Sequence, residues 1–150
     1  MAYAKLDMTG MEAILAALEN KDKQITAEAK AALEAGGKIV LDKAKEYAAA
    51  GGQHPQVDTG ALLGALKLKT TANARRAECK VGVIGAQSAS KRDANGYGPG
   101  DYAWMVENGH GIHNSQGRAA PHPFLEPAFT ETENEALETI ADKLREVMGL

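Results

Sequence analysis

The sequence predicts an α+β domain in which a long N-terminal helix and a C-terminal helix pack on a small, mainly antiparallel β-sheet. Apolar residues recur at steps of three or four before residue 50 and again after residue 127, whereas between Leu66 and Val83 they recur at every second position. Helical segments flank the alternating one, which favours segregated layers over a repeating β-α pattern. No internal repeat or second unit divides the 150 residues, so one domain over 1–150 is expected.

From Met11 the pattern is helical. Ile14, Leu15 and Leu18 share a face, with Thr9 as N-cap and Glu12 completing a capping box. The polar run "ENKDK" is expected to interrupt this helix, and a second begins near Gln24. Ile25, Ala29, Leu33, Gly36, Val40, Ala44 and Tyr47 then form one stripe that ends at Gly51-Gly52. Each glycine of Gly36-Gly37 costs the helix about 1 kcal/mol relative to alanine, so the pair marks a kink or a close approach by another backbone. We favour the close approach. After "GGQHPQ" and "VDTG" comes the helix-like "ALLGAL". Leu66, Leu68 and Thr70 then alternate with Lys67, Lys69 and Thr71, and Cys79, Val81 and Val83 with Glu78, Lys80 and Gly82. These are two strands of a hairpin around "ANARR".

The segment from Ala86 to Gly100 is rich in Gly, Ser, Asp and Asn and is expected to be a mobile surface loop. "DYAWMVEN" reads as one or two helical turns with Asp101 as N-cap. A loop carrying His110, His113 and His122 follows. The last helix is expected to follow Pro127, with Phe129, Leu137, Ile140, Leu144 and Val147 along one side. Glu131, Glu133 and Glu135 sit near its N-terminal end, where the helix dipole favours negative charge.

A net charge of −3 gives no general attraction to nucleic acid or anionic membrane. The single cysteine, Cys79, cannot form an internal disulfide. "MAYAKLDMTG" has no apolar stretch of signal-peptide length and no segment approaches a membrane span, so folding in a cytoplasm is expected.

Three constellations are candidates for chemistry. His110, His113 and His122, with His54 as a fourth, have the residue type of a zinc site, but Gly109 and Gly111 leave no helix to hold the imidazoles on one face. Only Glu107 is near in sequence to orient them. We read them as surface histidines, with no metal and no cofactor. Asp58-Thr59-Gly60 is the nucleophile-positioning triplet of aspartic proteases, yet the polar "GGQHPQ" precedes it where those enzymes have a buried strand. Here Asp58 or Thr59 is expected to cap a helix start, with Gly60 allowing the turn. The alternative function is thus a small hydrolase, either a dimeric aspartic protease or a metal-dependent enzyme. Arg75-Arg76 and Lys91-Arg92 are the only basic pairs placed to touch phosphates, and they read as solubilising charges.

Three segments, taken in order, resemble the neck proteins of long-tailed bacteriophages, also described as tail-component or tail-completion proteins. In "VDTGALLGAL", Val57, Asp58, Thr59, Gly60, Leu62 and Leu66 match the family pattern. In "YAWMVENG", Tyr102, Ala103, Val106, Glu107 and Gly109 match a second. In "PHPFLEPAF", Pro123, Phe124, Leu125, Pro127 and Ala128 match a third that opens the last helix. The chain departs at His110, where the family often has Thr, and at His122 and Glu126, where Arg is common. The resemblance implies a non-enzymatic head–tail joining part that works as a homo-oligomeric ring. It implies as neighbours the connector or head-closure and tail-terminator proteins. DNA would only pass through the channel, with no sequence-specific binding and no membrane involved. Assembly would occur in the bacterial cytoplasm and the final place would be the head–tail interface of the virion. Trp104 is the candidate interface residue. Phe124 and Leu125 serve either the interface or the core.

Overall fold

Met11–Ala49 forms one unbroken helix, α1, in the computed structural model of the chain, which describes residues 11–50, 61–73, 75–84, 99–111 and 117–149. The interruption expected at "ENKDK" does not occur. None of those residues lacks a backbone donor or needs a left-handed φ, and Asn and Asp cost at most about 0.7 kcal/mol each, so helix propagates through them. Thr9, Gly51 and Gly52 lie outside the described residues.

The last helix and a β-hairpin pack chiefly against the C-terminal half of α1. Ala32, Gly36, Val40, Ala44 and Ala48 are buried at steps of four. The last helix, called α4 in chain order, runs Leu125–Met148 and answers with buried Ala128, Thr132 and Ala136, also at steps of four. Ridges of such small residues let the two helix backbones come close. A Cβ on Gly36 would stand 2.6 Å from Ile140 Cδ1 and 2.9 Å from the Ala136 carbonyl oxygen. One on Gly37 would overlap Cys79 Sγ and come within 2.6 Å of Leu68 Cδ1. The close approach of another backbone read from the glycine pair is therefore present at Gly36, from α4, whereas at Gly37 it is side chains of the hairpin that fill the space. The Thr132 hydroxyl donates to the Ala128 carbonyl at 2.7 Å, which satisfies the buried polar group inside the seam.

α4 corrects one expectation and refines another. It begins at Leu125, two residues before Pro127, which falls in the first turn where a missing N–H breaks no helical bond. Of the apolar side chains expected along one side of it, Ile140 reaches the seam against Gly36, whereas Phe129 is 53% exposed, Leu137 56% and Val147 42%. Ala128, Thr132 and Ala136 form the buried part of the seam, and Ile140 fills the space over Gly36 that a side chain there would need.

The alternating segment is the expected hairpin, β1 (Leu66–Asn73) and β2 (Arg76–Val83), entered directly from the short helix α2 (Ala61–Ala65). Leu66 pairs with Val83, Leu68 with Val81 and Thr70 with Cys79, one row of cross-strand partners. Lys67, Lys69 and Thr71 face Gly82, Lys80 and Glu78 on the other side of the sheet. Asn73 Oδ1 accepts the Arg75 and Arg76 N–H groups at 2.9 and 2.8 Å, an Asx arrangement that closes the turn.

The next helix, α3, spans Pro99–Asn108, so Asp101 lies inside it and not at its cap. The loop expected over 86–100 thus ends in α3 and otherwise lies outside the described residues. A two-residue ladder, β3 (His110–Gly111) with β4 (Arg118–Ala119), follows. Ala48, Leu66, Ala103 and Phe124 form a buried cluster that joins α1, the hairpin, α3 and the start of α4, with Leu62 packed against it.

Candidate functional site

The second and third motifs of the sequence, whose Glu107 and Phe124 are 17 residues apart, meet at the junction between α3 and α4. Phe124 stands at the N-cap of α4 and offers no side-chain acceptor, so the first helical N–H groups need one from elsewhere. Glu107 supplies it from the last turn of α3. Its Oε2 accepts the N–H groups of Phe124 at 2.8 Å and Leu125 at 3.1 Å, and its Oε1 accepts that of Glu126 at 2.9 Å. Pro127 has no N–H to satisfy. One carboxylate therefore meets three donors and also places negative charge at the positive end of the helix dipole.

The residues around this cap explain the rest of the two motifs. Phe124 is fully buried, which puts its ring in the core and decides between the two roles left open for it. Leu125 is half-buried beside it. The His122 N–H donates to the Val106 carbonyl at 2.7 Å and ties the segment before α4 to α3 a second time. Gly109 ends α3 with a φ of +70°, and a Cβ there would stand 2.6 Å from the Ala119 carbonyl oxygen and 3.0 Å from Pro121 N. Both the backbone angle and the space require glycine. Ala103 is buried and Tyr102 precedes it in α3, while Pro123 is half-buried before the cap. Of the first motif, Leu62 packs on the core, but Val57, Asp58, Thr59 and Gly60 lie outside the described residues.

Trp104 is 64% exposed on α3, one turn from Glu107, and the Asn108 side-chain amide donates to its carbonyl at 3.1 Å. The indole is not part of the core. Of the histidines, His110 lies in β3 and its Nδ1 is buried without a hydrogen-bond partner. His122 makes the backbone bond to α3, and His54 and His113 lie outside the described residues. Among the described residues no group of three or more His, Cys, Asp or Glu is placed to hold a metal ion, and no helix is long and apolar enough to cross a membrane.

Two further features surround the junction. The Tyr47 hydroxyl of α1 donates to Glu131 Oε2 of α4, and Lys43 Nζ lies 2.9 Å from Glu131 Oε1 and 3.3 Å from Glu46. The Tyr47 hydrogen bond, and then Lys43, hold the Glu131 carboxyl below its ordinary range. On the opposite flank of α4, a groove of about 580 Å³ runs over Gly36, Gly37 and Val81, with Phe129 and Leu137 at its mouth beside Glu126 and Glu133. Phe129, Leu137 and Ile140 of the apolar stripe read from the sequence of the last helix line this groove.

The junction is not legible in the local sequence, because its cap comes from another helix. The available signal was negative: no Ser, Thr, Asp or Asn stands directly before the helix start, which asks where the cap is.

A family model described as "Bacteriophage HK97-gp10, putative tail-component" matches residues 12–109. The match runs from α1 to the residue after α3, so it includes the first two motifs with Glu107 and Gly109 and stops before the third. No curated protein and no solved structure matches the chain.

Proposed function

The chain belongs to the HK97-gp10-like family of bacteriophage tail components, and from that premise we propose that it is a non-enzymatic ring subunit that joins head to tail or completes the tail. The family match over residues 12–109 carries this reading. It makes the protein a structural part of a phage tail. Ring assembly, placement at the head–tail interface, and contacts with connector or head-closure and tail-terminator proteins are the finer content of the proposal.

The geometry of the motifs supports a structural role. Glu107 and Gly109 fix the angle between α3 and α4, and α3 carries the exposed indole of Trp104. A large aromatic held on a rigid element loses little side-chain freedom on binding, which is what an assembly contact needs. DNA passes the ring without sequence-specific contact, and the protein acts in the virion after assembly in the host cytoplasm.

Deleting the gene from the phage tests the proposal. Electron microscopy of the lysate should show filled heads beside separate tails, or joined particles that fall apart. Normal yields of infectious virions would refute it.

A further inference from the structure

The hairpin and α4 carry opposite charge on exposed faces of the same chain. Leu66 to Val83 holds five Lys or Arg and one Glu, whereas Leu125 to Ala141 holds five Glu and no Lys or Arg. On the hairpin, Lys69 stands directly opposite Lys80, with Lys67 two residues along on the same face. Like charges directly opposite each other destabilise a ladder, so this face is costly in the free subunit. Glu78 answers Arg76 at 2.7 Å and Lys80 at 2.9 Å, which leaves Lys67 and Lys69 without an ion pair among the described residues. On α4, Glu126 and Glu133 have no ion pair among the described residues and flank the exposed Phe129 and Leu137.

We propose that the basic outer face of the hairpin of one copy docks across the Glu126–Leu137 face of α4 in a second copy. The inference rests on the ring reading above and names the contact that builds the ring. Two properties favour a second copy as the occupant. The charges are complementary, cation-rich strand to carboxylate-rich helix, and the aliphatic stems of Lys67 and Lys69 can cover Phe129 and Leu137 while their ammonium groups reach the two glutamates. A DNA backbone would satisfy the same cations, but it offers nothing to cover the apolar pair, and a chain of net charge −3 is a poor polyanion binder. Because the contact joins two different surfaces, it is head-to-tail, and such contacts close into rings where the rotation allows.

Charge exchange tests the contact. Sedimentation equilibrium of the full chain should show association that weakens with added salt. The pair Lys67→Glu/Lys69→Glu should weaken self-association on the order of 100-fold, since like-charge juxtaposition at an interface costs several kcal/mol. The pair Glu126→Lys/Glu133→Lys should do the same. An equimolar mixture of the two variants, or one chain carrying all four changes, should recover association. Lys69→Glu removes the repulsion with Lys80, so the first variant should melt no lower than wild type, which separates lost docking from lost folding. Wild-type oligomers that persist in both variants would overturn this contact and leave the ring standing. A wild-type chain that stays monomeric at every concentration would overturn both. Association that is unchanged by the hairpin variant, with loss of salt-sensitive binding to duplex DNA, would overturn the contact and assign the hairpin to nucleic acid.

Discussion

Replacing Glu107 with alanine should destabilise the protein more than loss of an ordinary helix cap. Removing a local cap residue costs about 0.5–2 kcal/mol. Here three donors lose their acceptor together, and they differ in how well water can replace it. Phe124 is fully buried, so its N–H keeps the desolvation penalty of an unpaired group, about 1–3 kcal/mol. Leu125 is half-buried and recovers part of its bond from solvent, and Glu126 is exposed and recovers most of it. The lost attraction between carboxylate and helix dipole adds about 0.3–1 kcal/mol. The expected total is about 2–4 kcal/mol. Urea denaturation followed by far-UV circular dichroism measures it: the midpoint should fall with the slope unchanged. Glu107→Gln keeps an acceptor oxygen but loses the charge, and should fall between wild type and alanine. Glu138→Ala, an exposed glutamate on the same helix α4, is the control and should change stability by no more than about 0.5 kcal/mol. A loss below about 0.5 kcal/mol for Glu107→Ala would refute the reasoning, because it would mean that water replaces all three bonds.

Gly36→Ala gains helix propensity of about 1 kcal/mol but places a methyl against Ile140 and the Ala136 carbonyl, so overpacking should win and lower stability by about 1–2 kcal/mol net in the same denaturation assay. The Tyr47–Glu131–Lys43 cluster should give a pH signature. Glu131 has a lowered folded pKa, so its contribution is complete above the ordinary value of 4.5 and fades as pH falls through the lower folded value. Tyr47, raised from 10.0 chiefly by its bond to Glu131, and Lys43, raised from 10.5 chiefly by the same carboxylate, contribute fully below those values and lose their share as pH climbs through the raised ones. Melting temperatures from pH 3 to 11 should therefore decline less at both limbs in Glu131→Gln. Trp104→Ala should leave the melting temperature within about 2 °C of wild type because the indole is exposed, yet yield fewer joined particles when it replaces wild type in the phage.

The sequence made some of these contacts legible and hid others for definite reasons. The hairpin register follows from alternation, because Leu66, Leu68, Cys79, Val81 and Val83 are distinct in polarity from the residues between them. Gly36-Gly37 announced its close neighbours because no local turn needed glycine in the middle of a helix. The seam of α4 was not legible: Ala128, Thr132 and Ala136 are quieter than Phe129 and Leu137, and hydrophobic pattern alone gives the larger residues to the core. Glu107 reads as one more polar residue at a helix end until Phe124 is placed beside it in space.

α1 is a single rod with two thermodynamic regimes. At 1.5 Å per residue its 39 residues reach about 58 Å, whereas the 24 residues of α4 reach about 36 Å. Residues 16, 17 and 19–25 are exposed, and Ile25 is 61% so. That stretch includes the Asn and Asp of "ENKDK" and buries little against the other described elements, so its shape rests chiefly on hydrogen-bond cooperativity, which is marginal over so few turns. Amide exchange should slow steadily along α1, from near-free opening around residue 20 to the global unfolding limit around Ala44. The same helix is then a core strut at one end and, at the other, a reserve of conformational entropy that any neighbour gripping it must first remove.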